Sequence, residues 1–348
     1  MADELLAHCA CEEATALTPL AKAILLTVHY RDIFRHALTV EELRRYLVRV
    51  PAENGAVEQA LEPLLERQLS RCGDYVTWSG RENLVTERQA RMAASARLWA
   101  KARRYVGALR RIPFVRMAGV SGSLAVNNAR EGADDIDLFC IAQPKRVWLV
   151  MLYLKVLALY SQRTDASAML CPNTCLGEDR LEITAQNLYM AHQIMHVVPL
   201  WGAAVYAKFL RQNGWVGAFL PNAYAQCVSD AIAGDPPPKS WGERLIPNGV
   251  GNGLNTCICH AGVRKAARFY RRTHTDAMLR EARNPQRYML PGLGYTGAIF
   301  RRFMEGYAER FAGVLSRAEM AAAFGCGGEI FVDRRLDELF GSKYEGRA

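Results

Sequence analysis

Gly122-Ser123 and Asp135-Ile136-Asp137 stand close along the chain, with Asp135 twelve residues after Ser123. Carboxylates two residues apart on a strand project from the same face. A pair of hard oxygen donors placed that way suits Mg²⁺ or Mn²⁺. A glycine lets the backbone come close to a bound group. A serine hydroxyl, with the N–H groups of a helix start behind it, donates to phosphate oxygens. The chemistry these types point to is attack on a phosphorus atom: a divalent cation neutralises the phosphate oxygens and lowers the pKa of the attacking hydroxyl. Two cations about 4 Å apart do both. A lone Gly-Ser is uninformative and D-x-D is common, so the combination and its setting carry the signal.

The setting required is strand, turn, short helix and return strand, and the sequence supplies it. Phe114 to Val120 reads as a strand, Ser121-Gly122-Ser123 as the turn, and Leu124 to Asn128 as a helix start. Gly132 ends that helix and Ile136 to Ile141 forms the next strand. This G-S-x11-D-x-D pattern, closing on Asp137-Leu138-Phe139, resembles the polymerase β-like nucleotidyltransferase superfamily.

The resemblance implies an α/β (α+β) core with a mixed sheet. It implies Mg²⁺ (or Mn²⁺) on Asp135 and Asp137, and the triphosphate of an NTP on Gly122 and Ser123. The activity implied is transfer of NMP to a hydroxyl or phosphate, with release of pyrophosphate. The acceptor stays open between a small molecule, a protein side chain and an RNA end. Superfamily members usually add a third carboxylate on a later strand, as metal ligand and base. Here the strand expected over 168–176 contains no acid. Glu182 is the nearest carboxylate in another apolar run, Asn173 offers a neutral oxygen, and some minimal members dispense with the third group.

Flanking elements must hold this core. Leu20, Ile24, Leu25, Val28 and Ile33 give a first helix its apolar stripe. Thr39 with Glu42 forms a capping box for a second, and Val57, Leu61, Leu64, Leu65 and Leu69 mark a third. A hairpin turns at Gly73-Asp74. This is a winged-helix-like outline over 1–80. Its third helix carries Glu53, Glu58, Glu62 and Glu66 against Arg67, the wrong sign for phosphates, so DNA binding is not favoured. Residues 81–111 read as one Arg-rich helix whose apolar side, with Met92, Leu98 and Val106, packs on the next domain. The other reading is a basic rim for a polyphosphate or nucleic acid.

The expected catalytic domain covers 112–234 and a helical C-terminal region 235–348. Thr184 to Arg211 reads as helix interrupted at Pro199. The phrases His196 to Trp201, Gln212 to Val216 and Leu220-Pro221-Asn222 are similar to a bacterial and archaeal subgroup of the same superfamily with unassigned substrate. Trp201, Trp215 and Asn222 are read as packing residues ahead of an acceptor-pocket role. Asp235 to Lys239 is a stiff connector, and Asn248 to Gly253 reads as a flexible loop. Leu254 to Leu290 and Gly297 to Phe324 read as helices. Arg264, Lys265, Arg268, Arg271 and Arg272 form the densest basic run.

The formal charge of +9 favours a polyanionic partner over an acidic macromolecular substrate. The first residues have acids where a signal peptide needs Lys or Arg. Val147 to Tyr160, the most apolar stretch, is half a membrane span and reads as a buried helix. A soluble, cytoplasmic protein without a membrane partner is therefore expected. Among ten cysteines, none pairs as two C-x-x-C knuckles, so free thiols are expected. Cys257-Ile258-Cys259-His260 is the set to test for zinc. The competing function class is a non-catalytic nucleotide-sensing or DNA-binding regulator.

Overall fold

A computed structural model describes residues 17–165, 169–231, 241–270, 287–289 and 292–325. The first helix, α1 (Pro19–Asp32), starts where Thr18 Oγ1 accepts from the Ala21 N–H at 3.1 Å, with Pro19 at its first position. Helix α2 (Val40–Arg45) begins at the capping box: Thr39 Oγ1 accepts from Glu42 N, and Glu42 Oε2 accepts from Thr39 N, both at 3.1 Å. Helix α3 (Asn54–Leu65) buries Val57, Leu61 and Leu64, the stripe its spacing predicts. Strands β1 (Leu38–Thr39), β2 (Leu69–Cys72) and β3 (Tyr75–Trp78) pair antiparallel in the order β1-β3-β2.

Helix α4 (Asn83–Arg104) and helix α5 (Val106–Arg111) lead into a five-stranded sheet. Its strands are β4 (Val115–Val120), β5 (Ile136–Ala142), β6 (Leu170–Gly177), β7 (Val198–Trp201) and β8 (Arg287–Met289), in the order β7-β4-β5-β6-β8. Only β5 and β6 run parallel, joined by the crossover helix α7 (Val147–Thr164); the one-turn α6 (Gly122–Ala125) lies between β4 and β5. The α/β class and the mixed sheet both stand. The remaining described helices are α8 (Leu188–Met195), α9 (Ala203–Gln212), α10 (Pro221–Asp230), α11 (Trp241–Arg244), α12 (Asn248–Tyr270), α13 (Gly292–Glu305), α14 (Tyr307–Arg310) and α15 (Arg317–Phe324).

Alternation along β5 divides the core into two. Ile136, Leu138, Cys140 and Ala142 join a cluster with Leu109, Val150, Leu154 and Cys259. Phe139 and Ile141 join the other, which holds Leu25 and Trp78 of the N-terminal elements together with Phe209, Phe303 and Phe324. The second cluster crosses residues 80 and 235, so the N-terminal and C-terminal helices share one core. None of the described helices is long and apolar enough to cross a membrane.

Four expectations give way to tertiary structure. The interruption at Pro199 is the edge strand β7, where a proline costs little because one side of the strand is unpaired. Asn248 to Gly253, expected as a loop, forms the first turns of α12. Its asparagines are used there. Asn255 Oδ1 accepts from Trp148 N at 2.9 Å and Leu149 N at 3.2 Å, while Asn248 and Asn252 accept from the buried Arg146 guanidinium. Gly251 makes room for that guanidinium, since a Cβ on it would stand 2.8 Å from Arg146 Cζ. Arg287–Met289, expected inside a helix, is β8, paired antiparallel to Leu176, Cys175 and Thr174. The fourth concerns α4, whose buried face runs through Leu84, Arg88, Ser95, Leu98 and Ala102; Met92 is exposed.

Candidate functional site

Strand β4 delivers the Gly-Ser turn to one end of the sheet, and β5 begins at that same end. Val120 pairs with Leu138, and Ser121 N donates to the Asp137 carbonyl at 2.9 Å. Asp135 immediately precedes β5, and Asp137 shares the sheet face of Phe139 and Ile141. Gly122 has φ +69°, the left-handed region. A Cβ there would overlap Asp137 Oδ2 and stand 3.1 Å from its Cγ. The Asp137 carboxyl therefore lies directly against the bare Gly122 backbone, and the turn and the acid interlock. Ser123 is buried and its hydroxyl has no hydrogen-bond partner. Its carbonyl accepts from Asn128 N at 2.8 Å, which closes the turn behind it.

The loop between turn and acids is held from outside, by residues that sequence reasoning missed. Arg88 Nη1 donates to the carbonyls of Val126 (2.9 Å) and Asn127 (2.7 Å), and its Nη2 donates to Glu42 Oε1 at 2.9 Å. Arg91 Nη1 donates to Asn128 Oδ1 at 3.1 Å, Ala129 N to Ser95 Oγ at 3.1 Å, and Trp99 Nε1 to the Leu124 carbonyl at 3.2 Å. These come from successive turns of α4, whose arginines on this face grip carbonyls and make no basic rim. The available signal was their spacing, since Arg88, Arg91, Ser95 and Trp99 fall on the stripe of Leu84, Leu98 and Ala102. Beside the pair, Asp134 is consumed structurally: its Oδ2 accepts from Arg130 N at 2.8 Å and its Oδ1 from Arg130 Nη2 at 3.3 Å.

The structure thus brings together Gly122, Ser123, Asp135 and Asp137, and does not bring Glu182 to them. Asp137 pairs with Cys171 on β6, whereas the Glu182 carbonyl accepts from Arg287, which pairs with Leu176. Cys171 and Leu176 are five strand residues apart, about 17 Å. Glu182 is exposed at the far end, placed there by its neighbours Leu181 and Ile183, which are pulled into the core. Asn173 is nearer, at the β6 bulge between the pairs Leu138–Pro172 and Phe139–Thr174. Among the described residues no group of three or more His, Cys, Asp or Glu is placed to hold a metal ion.

Other sequence candidates resolve into packing. Asn222 clamps the chain before α3: its Nδ2 donates to the carbonyls of Arg44 and Ala52, both at 2.8 Å. Trp201 is buried beneath the sheet, and Trp215 stands edge-on to Phe219 with centroids 5.8 Å apart. On α12, Cys257 is exposed and Cys259 buried, on opposite sides of the helix, so they cannot share a zinc ion with His260. Arg271 and Arg272 lie outside the described residues, and Arg264 is exposed on α12. Comparison with protein-family profiles, with curated proteins and with solved structures finds no match for this chain.

Proposed function

We propose that the chain is a metal-dependent nucleotidyltransferase with a polymerase β-like core, moving NMP from an NTP to a hydroxyl or phosphate acceptor with release of pyrophosphate. One observation carries the reading: Gly122 holds a left-handed backbone that the Asp137 carboxyl covers closely. A strand-capping aspartate needs no such interlock. A site where a phosphate must meet both the turn backbone and an acidic metal ligand does.

The donor set fits Mg²⁺, or Mn²⁺, which takes one or two carboxylates and completes its octahedron with water and substrate phosphates. Asp135 and Asp137 would hold it. When bound, the cation neutralises phosphate oxygens and lowers the pKa of the attacking hydroxyl. The chain's own contribution is positional. Gly122 admits the phosphate chain to the backbone, and the buried Ser123 hydroxyl, lacking a protein partner, donates to a phosphate oxygen. Arg88 and Arg91 keep the loop that joins turn and acids in place. Glu182 has no part in this scheme. The competing DNA-binding regulator finds little support, because Glu53, Glu58, Glu62 and Glu66 stand exposed along α3.

The test supplies each NTP labelled at the α-phosphate, Mg²⁺ or Mn²⁺, and a cell extract as acceptor source. Label should pass to an acceptor with the unaltered protein and fail to pass with Asp135→Asn/Asp137→Asn. Binding of an NTP with no transfer under any combination would sink the enzymatic reading in favour of nucleotide sensing.

A further inference from the structure

A second polar cluster lies between α1, α2 and α8, inside the apolar core. Arg31 is only 3% exposed, His36 2% and His192 0%, and His196 is buried beside them. Arg31 Nη1 donates to His196 Nε2 at 3.3 Å, and its guanidinium carbon lies 5.5 Å from the centre of the Tyr46 ring. Its Nε and Nη2 have no hydrogen-bond partner, and no carboxylate oxygen of the described residues lies within 4.0 Å of the group. Neither His36 nitrogen nor His192 Nε2 has a hydrogen-bond partner either. Glu42 is the nearest acid, and it is committed. Its Oε1 accepts from Arg88 at 2.9 Å, and its Oε2 accepts from Thr39 N at 3.1 Å and stands 3.7 Å from His36 Nε2.

A buried guanidinium without a counter-charge costs several kcal/mol. The particular edge left open is informative. Nε and Nη2 form the side-on fork of arginine, whose two parallel N–H groups match two oxygens of one carboxylate or phosphate. The imidazoles around it are held neutral, each with its pKa pushed down by burial first and by Arg31 next. Neutral His36 keeps one N–H to donate, whereas His192 donates its Nδ1–H to His196 Nε2 at 3.4 Å, the lone pair that Arg31 also reaches, and so only braces the cluster. The same positive charge repels a cation, which argues against a zinc site despite three histidines.

We propose that Arg31 and His36 form an oxyanion site that takes a phosphate-class group on the Nε/Nη2 edge of Arg31. The fold puts it beside the Gly-Ser turn. Val198, two residues after His196, pairs with Val120, two residues before Gly122, so both segments leave the same end of the sheet. Glu42 and Arg88 continue from His36 to the loop carbonyls of Val126 and Asn127. The group bound is small, either free inorganic phosphate or pyrophosphate, or the phosphate tail of a nucleotide. It needs no divalent cation, so it stands independently of the transferase reading.

The experiment titrates the full chain, with EDTA present and ionic strength held with chloride, against inorganic phosphate, pyrophosphate and ATP in separate arms. The melting temperature should rise saturably in at least one arm. Response to phosphate or pyrophosphate identifies a free anion, and response to ATP alone a nucleotide tail. Arg31→Lys, which keeps the charge and loses the fork, should weaken that response by about tenfold or more. Arg31→Met should abolish it, with Asp135→Asn/Asp137→Asn leaving it intact. If Arg31→Met does not fold, Arg31→Lys and His36→Gln decide. No saturable response in the unaltered protein, or an equal response in the Arg31 and His36 variants, overturns the proposal.

Discussion

Arg116 and Arg31 are both guanidinium groups withdrawn from water, and the protein treats them in opposite ways. Arg116 on β4 reaches Glu243 of α11 through two parallel bonds of 2.9 Å, Nη1 to Oε1 and Nη2 to Oε2, and Gln143 also accepts from it. Glu243 Oε1 accepts from Phe114 N as well, at 2.9 Å. There the charge is matched by a carboxylate and the carboxylate is itself satisfied. Arg31 receives one imidazole lone pair and an aromatic face. The contrast shows that this sequence can neutralise a half-buried cation when the role is structural. The open edge of Arg31 therefore marks a place where something else supplies the negative charge.

Among single substitutions, the largest effect expected from this comparison is on the matched pair. Glu243→Gln leaves the half-buried Arg116 without its counter-charge and should cost about 3 kcal/mol in denaturant unfolding. A loss below about 1 kcal/mol would mean that the pairing is not what holds Arg116.

Acidification should act mainly on the other cluster. Burial, followed by Arg31, lowers His36 to about 3 and holds His192 and His196 well below 6.5, while Glu42 faces His36 and Arg45 faces His196. His29 is lowered to about 4 by burial, against the Phe303 carbonyl, with Arg310 and Asp32 beside it. Because the folded values are depressed, the unfolded chain binds more protons below pH 6.5. Stability is thus full above 6.5 and lost as pH falls toward the folded values, at ~1.4 kcal/mol per pH unit for each histidine. Denaturant midpoints between pH 6.5 and 4.5 should show this slope, and His192→Gln should remove about one histidine's share. A flat profile would show that the imidazoles are not held neutral.

The smallest effect is the most discriminating. In phosphate-free buffer Arg31→Met should change stability by less than about 1 kcal/mol, or raise it, because it removes an unpaired buried charge. A loss as large as that of Glu243→Gln would place Arg31 with Arg116 as a structural cation.

How much of this was legible beforehand depends on how local each feature is. The capping box at Thr39 and Glu42, the stripe of α3, and the two strands either side of the Gly-Ser turn are set by residues within a few positions of one another, and they appear where the spacing puts them; the helix expected from Leu124 to Gly132 is only the single turn α6, with the loop beyond it held by α4. The adjacency of Gly122 and Asp137 also followed from local reasoning, since a strand, a turn and an antiparallel return bring their ends together. The helical state of Asn248 to Gly253 did not. Five glycines and asparagines in six residues have poor helix propensity, and only the bonds from Arg146 to Asn248 and Asn252, with that from Trp148 to the following Asn255, all from residues more than a hundred positions earlier, favour the helix. Likewise Pro199 and Arg287 to Met289 become strands because the sheet edges beside β4 and β6 accept them.

The sequence by itself therefore determined the short frame on which Gly122, Ser123, Asp135 and Asp137 sit, two strands and the turn between them. Tertiary structure alone decided that Glu182 stands at the end of the sheet away from Asp137 and that the arginines of α4 clamp the loop. It also decided that Arg31 meets three histidines without an acid. The reason is one of range: periodicity and turn chemistry act over a few residues, whereas burial and charge pairing depend on neighbours that only the folded chain brings together.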